Sequence, residues 1–392
     1  KKVGNQDWNR FDAPKVVDTN VTQFDDYGLG VEPNNLAAIG GLTLYRQLRY
    51  GKNVDLILTD NRSYRSYHTI NYKEADDLYD DPNFLGVVPL EALEILDAGK
   101  TYNNGKPPET ISYGAKTAPN FCKDKDPQSM LGKEQKAWFL SRLHASTATW
   151  KVWGNSVGSL DPRLDMKNLP KNLGKWPGEN YGMLIVDDWS SYRSERGDIL
   201  DFVKANGITG LTSVCGDRHS FFAGVLSKSL PPENYEPVAL EFVGTSISSP
   251  GPFESFEAKV PDTNPLHALL VRRPKGAATQ PMVNMTVMHG VRASLAFDKS
   301  GDVKDALRHS NPEVAPHLSF VDMGAHGYSV VRAAPDALET EFVCIPRPIE
   351  RSGTDDGGPL LYRVRHRAKA WKSGEKPALE QNVVEGKPPL TA

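Results

Sequence analysis

The residues of this chain best suited to chemistry lie between Gly207 and Phe221, where an apolar, β-branched run stops abruptly at Gly216, Asp217, Arg218 and His219. In α/β folds ligands bind outside the carboxyl ends of strands, so a carboxylate and an imidazole are offered at such a place. Two positions apart on an extended chain, Asp217 and His219 project to the same side. A hard oxygen donor beside a borderline nitrogen donor suits a di- or trivalent metal ion. An Asp–His hydrogen bond capping a strand-to-helix turn is the structural alternative, and the dipeptide alone leaves both open.

Three further segments carry candidates. Thr59 to Arg65 follows an apolar strand, and the planar forks of Arg62 and Arg65 match tetrahedral oxyanions. An ion-pair network of those arginines with Asp60 is the competing reading. Val186 to Tyr192 offers Asp187 as a metal-facing carboxylate, with Trp189 and Tyr192 as pocket walls. A helix N-cap followed by two packing aromatics would give the same pattern. Asn155, just past another strand, presents an amide oxygen to a metal or phosphoryl group, or simply forms a turn. His289, His317 and His326 lie in the C-terminal half, and His326, between Ala325 and Gly327, reads as an exposed loop tip. No P-loop, Rossmann fingerprint or serine nucleophile elbow is present.

The elements that must position these residues follow from patterning. Strands are expected at Asn53–Asp60, with Val54, Leu56 and Leu58 on one face, at Ala148–Trp153, at Gly182–Asp187 and at Val238–Val243. Helices are expected near Leu90–Leu96, from Gly132 to His144, and from Glu195 to Asn206, the last stopped by Gly207. After Gly251 the pattern reads as short strands without long helices: Met282–Met288, Pro316–Asp322, Tyr328–Ala333, Glu339–Ile345 and Leu360–His366. Alternating strands and helices followed by antiparallel strands give an α/β (α+β) fold. Residues 1–41 read as an irregular lead-in, and 373–392 as a polar tail.

Bulk properties narrow the partners. A net charge of −3 gives no electrostatic case for a nucleic-acid scaffold, and the apolar runs are too short to span a bilayer. Cys122, Cys215 and Cys344 are odd in number and far apart, so they neither make a zinc motif nor prove a disulfide framework.

Taken in order, the segments resemble the PhoD-like alkaline phosphatases/phosphodiesterases, a branch of the metallophosphoesterases. Leu58 to Arg65 is similar to the family's Leu-Asp-Thr-Arg-x-Tyr-Arg. Met130, Leu131, Gly132, Gln135, Trp138, Leu143, Ser146, Ala148 and Trp150 follow its helix-and-strand segment. Asp187, Trp189, Tyr192 and Arg196 resemble its Asp-x-Trp-x-x-Tyr-x-x-x-Arg pattern, and Gly216, Asp217 and His219 its Gly-Asp-x-His metal motif. Pro316 to Asp322 with Gly327 and Tyr328 resembles its closing strands.

The resemblance implies two packed mixed β-sheets flanked by helices over residues 42–372, with loop-rich excursions at 66–128 and 251–310. It implies a metal cluster of iron and calcium held in part by Asp217, His219 and Asp187, with Arg62 and Arg65 on the phosphoryl oxygens. Asn155, Trp189 and Tyr192 would then contact substrate. The implied activity is hydrolysis of phosphate mono- or diesters by a metal-bound hydroxide, in a periplasmic or secreted protein.

The family's earlier Gly-Asp-x-x-Tyr and Asp-Asp-His-Glu motifs, and its cysteine ligand, do not occur here. A separate N-terminal fragment is therefore expected to complete the site. The alternative is a non-catalytic subunit or binding protein that keeps the fold.

Overall fold

The computed structural model describes residues 17, 19–25, 30–41, 43–79, 83–351, 353 and 359–390. Most of the expected lead-in lies outside them, but Pro33–Gly41 (α1) is helical.

A seven-stranded sheet forms the centre. Its strands are β1 (Arg46–Tyr50), β2 (Val54–Leu58), β3 (Trp150–Gly154), β4 (Leu211–Cys215), β5 (Phe221–Leu226), β6 (Ala239–Val243) and β7 (Leu318–Asp322). Across the sheet the order is β1-β2-β3-β4-β6-β5-β7. β2, β3, β4 and β6 run parallel, and the outer pairs are antiparallel. A parallel core needs crossovers, and helices α3 (Gly132–Ala145) and α4 (Arg193–Ala205) supply two of them. Gly207, at φ +59°, ends the second, as its position after the apolar stripe requires.

Alternation along each strand sends side chains to two cores. Ile57, Trp153 and Leu211 join Phe139 and Leu143 of α3 and Ile199 and Val203 of α4 on one face. Trp150, Val152, Phe221, Ala223, Leu240 and Phe242 point to the other face. That face is covered by a four-stranded antiparallel sheet of β8 (His326–Ala333), β9 (Ala337–Ile345), β10 (Tyr362–Lys369) and β11 (Glu380–Gly386). Phe221 and Phe342 stack between the sheets at 4.5 Å. The architecture is thus mixed α/β with two packed main sheets and flanking helices, although only the larger sheet is mixed.

Four expectations are corrected. Met282–His289 (α6) is a helix, not a strand. Met282 to Val287 are all buried, Asn284 and Thr286 included, and the alternation of those two with Val283, Met285 and Val287 mimics the period of a strand. It follows α5 (Pro252–Lys259) and precedes α7 (Val291–Ser300), so 251–310 is largely helical. Gly182–Asp187 shrinks to a two-residue strand, Gly182–Met183, in a small sheet with Val88–Pro89 and Arg163–Leu164. His326 is no loop tip; it opens β8 and is buried. The tail supplies the edge strand β11 despite its polarity, because its backbone completes the pairing of β10. Helix α2 (Leu90–Ala98) falls where it is expected.

Candidate phosphoryl-binding site

The four parallel strands end at the same edge of the sheet, and the candidate residues follow them. Asp60 to Arg65 follow β2, Asn155 follows β3, Asp217 to His219 follow β4, and the loop from Gly244 to Gly251 follows β6. Asp187 comes from the segment before α4.

Arg62 lies between the two acids. Its Nη1 is 3.4 Å from Asp187 and its Nη2 is 3.4 Å from Asp217 Oδ1. Arg65 Nη1 donates to Asp187 Oδ1 at 2.8 Å. Arg62, Asp187 and Asp217 are all substantially exposed, so these pairs are soft and open to competition from an incoming anion. Burial opposes ionisation of Asp187, but the guanidiniums of Arg65 and Arg62 outweigh it and hold its carboxyl below the usual range. The arginines therefore pair with Asp187 and Asp217 rather than with Asp60. Asp60 instead accepts from the amides of Arg62 and Ser63 through Oδ1, shaping the loop that presents both guanidiniums.

Asp217 and His219 do not sit on an extended chain. Their φ values are +70° and +49°, left-handed conformations that non-glycine residues adopt at a cost of about 1–3 kcal/mol. His219 Nδ1 lies 2.8 Å from the Pro250 carbonyl oxygen. A carbonyl only accepts, so Nδ1 carries the hydrogen and Nε2 of the neutral ring keeps its lone pair. His68, buried beneath Asp187, receives the Ile70 amide at Nδ1 and directs Nε2 to the Val186 carbonyl. Burial lowers its pKa and keeps it neutral.

The remaining candidates lie under the site, not in it. Asn155 is buried, and its Oδ1 accepts from Asn61 and from Trp189 Nε1 while its Nδ2 faces Ser159 and Ser213. Trp189 is wholly buried, and the Tyr192 hydroxyl donates to the Ser66 carbonyl. These three residues lock the loops together, and the geometry gives them no face toward a ligand. His289 is half-buried against Ser310, and His317 is buried with Nε2 on the Asp161 carbonyl.

Residues beside the obvious candidates do the positioning. Asp188 and Arg218, each next in sequence to a site acid, form an ion pair with essentially no exposure, with Nη2–Oδ2 at 2.6 Å. Asp161 and Arg196 are buried together beneath the same loops, and the partly exposed Arg193 pairs with the same acid. The Asp188–Arg218 pair was within reach of the sequence, since both residues sit inside the motifs. Only burial distinguishes them from their neighbours.

A cleft of about 1070 Å³ opens beside Arg62 and Arg65. Tyr64, Tyr67, Gln128, Lys133 and Lys136 are among its lining residues.

The donor chemistry of Asp187, Asp217 and His219 suits a hard or borderline cation, but the number falls short. Among the described residues no group of three or more His, Cys, Asp or Glu is placed to hold an ion. Zinc centres take at least three protein ligands, and calcium takes about six to eight oxygen donors. The residues present therefore fit part of a metal centre and not a whole one.

Two guanidiniums among carboxylates at the carboxyl edge of a parallel sheet are groups chemically able to bind a tetrahedral oxyanion. A family model described as PhoD-like phosphatase matches residues 32–342, and the chain belongs to that family. It is similar to alkaline phosphatase D of Bacillus subtilis (strain 168), with 26% identity over 167 residues, 41% of this chain and 24% of that protein. The chain thus matches about a quarter of the curated relative's length. It is also similar to a solved structure of PhoD, at 15% identity and a TM-score of 0.47, over 88% of this chain and 45% of that one. No helix among the described residues is long and apolar enough to cross a membrane.

Proposed function

We propose that the chain carries the phosphoryl-binding half of a metal-dependent phosphoric ester hydrolase. The observation that carries this reading is the convergence of Arg62 and Arg65 with Asp187 and Asp217 at one sheet edge, His219 following Asp217 two residues on. Arg62 and Arg65 would turn from the acids to the equatorial oxygens of the phosphoryl group, whose charge grows in the transition state. Asp217 and His219 Nε2 would contribute to a metal shell completed by donors from outside these residues, with iron and calcium as the proposed ions and an N-terminal segment as the proposed source. Bound metal would supply Lewis acidity and charge neutralisation. The adjoining 1070 Å³ cleft is far larger than inorganic phosphate needs, which supports an ester with a bulky leaving group.

One observation favours a second reading, a binding subunit without catalysis: the charges of Arg62 and Arg65 together balance those of Asp187 and Asp217. Two measurements separate the readings. In the assembled protein, Asp217→Ala and His219→Ala are expected to lower the bound metal per chain; unchanged stoichiometry would remove both from the metal shell. Arg62→Ala is expected to weaken inhibition by inorganic phosphate about tenfold, the scale of one charge-assisted contact of 1.5 kcal/mol or so. Phosphate affinity equal to wild type would return Arg62 to a purely structural role.

A further inference from the structure

Behind His219 lies a cluster that phosphoryl binding does not itself employ. The Pro250–Gly251 peptide accepts a hydrogen bond from His219 Nδ1 on its carbonyl, at 2.8 Å. Its own N–H, on Gly251, donates to Glu254 Oε2 at 2.6 Å. One planar peptide unit thus joins a carboxylate to an imidazole, and polarisation of the N–H strengthens the carbonyl as an acceptor.

Glu254 is itself held from two sides. His326 Nε2 is 3.2 Å from Oε2, and because an ionised carboxylate only accepts, that nitrogen carries the hydrogen. Arg347 Nη1 is 3.3 Å from Oε1, and Arg347 Nε donates to the Ser248 carbonyl at 2.7 Å, tying the same loop down. Space reinforces the arrangement. A Cβ on Gly251 would lie 3.1 Å from the His219 carbonyl oxygen and 3.2 Å from that of Met323, so the peptide is packed directly on the His219 backbone. Burial opposes ionisation of Glu254, but the Gly251 amide, His326 and Arg347 together hold its carboxyl below the usual range.

We infer that Glu254 is a positioning residue for His219, acting through the Pro250–Gly251 peptide. It fixes the carbonyl that fixes the ring, and so keeps His219 in the Nδ1–H tautomer with Nε2 free as a ligand or base. Imidazole ligands generally need such an oriented second partner, and losing it typically weakens a site by 10–100-fold. The inference rests on the proposed role of His219 in the site. The competing role is local: Glu254 also caps the first turn of α5, where any carboxylate is favourable.

Reach and charge separate the two roles. Glu254→Gln keeps the reach and an acceptor oxygen but loses the charge. Glu254→Asp keeps the charge at the helix N-terminus but falls one methylene short of Gly251 N–H. The tautomer is read from two-bond ¹H–¹⁵N correlations of the histidine rings in alkaline buffer, with His219 assigned by its loss in His219→Gln. Wild type and Glu254→Gln are expected to show distinct Nδ1–H and bare Nε2 signals. In Glu254→Asp the two nitrogen shifts are expected to converge toward an averaged pair. A wild-type pattern in Glu254→Asp, or convergence in Glu254→Gln, would overturn the inference. Because the readout needs neither metal nor substrate, absence of phosphatase activity would count against the proposed function and leave this result standing.

Discussion

Replacing Arg218 with Ala is expected to cost about 3–5 kcal/mol of stability and to release Asp187 and Asp217 from each other. The reason is burial. Asp188 has 0% and Arg218 1% side-chain exposure, and Oδ2 of the acid receives both Nε and Nη2 of the arginine. Removing the cation strands a carboxylate left, among the described residues, with the Ser190 amide. The contrast lies one residue away in sequence. Arg62 bridges Asp187 and Asp217 in the open, with 45% of its side chain exposed, and Arg62→Ala should cost no more than about 1 kcal/mol. Urea unfolding of the two variants decides the matter. A double change to apolar residues, Asp188→Leu with Arg218→Met, is expected to cost less than the two single changes added together, because neither charge is then left alone. If Arg218→Ala unfolds at the same midpoint as Arg62→Ala, the buried pair does not anchor the site loops.

That pair also shows where the sequence is legible and where it is not. Asp217, Arg62 and Arg65 are readable because each follows the end of an apolar segment, and chain ends of parallel strands share an edge. The structure brings those three together with Asp187, which follows no strand of the central sheet and is readable only from its motif. What the sequence does not carry is which of two adjacent acids points outward: Asp187 and Asp188 are chemically alike, and only the packing of Arg218 beneath the loop sorts them. Asn155, Trp189 and Tyr192 lie buried beneath the site, which local pattern does not show either. Asn61 to Asn155, Trp189 to Asn155 and Tyr192 to Ser66 are bonds across 94, 34 and 126 residues, contacts no local pattern reveals. The fold divides in the same manner. Strands buried on one face alternate and declare themselves, but Val283 to Val287 alternate as well through Asn284 and Thr286, and only the burial of both polar residues shows that the period is not a strand's. The edge strand β11 is invisible to patterning because its side chains are mostly exposed and only its backbone is needed.

His366→Phe is expected to stabilise the protein, and to do so most in acid. His366 sits on β10 between the sheets with no exposure, ringed by Phe342, Phe320 and Phe242 at centroid distances of 4.9, 5.6 and 6.0 Å. Neither ring nitrogen has a hydrogen-bond partner among the described residues. An unpaired buried polar group costs about 1–3 kcal/mol, so an apolar ring of similar shape should recover that amount at neutral pH, less a small overpacking term. The acid effect is larger. Burial lowers the His366 pKa from 6.5 to about 3. Between those values the unfolded chain binds a proton that the folded chain refuses, so stability falls as pH falls from 6.5, and the loss is complete below about 3. At 1.36 kcal/mol per unit this window is worth about 5 kcal/mol. Phe does not titrate, so the difference between variant and wild type should widen steadily from neutral pH toward pH 4. His317, lowered to about 3 by burial in the same way, keeps its own share of acid sensitivity and is common to both proteins, as are all other titrating groups. Urea midpoints across that range test the argument. Parallel curves for the two proteins would mean that His366 takes up its proton while folded, and that the space between the sheets is wetter than its aromatic lining implies.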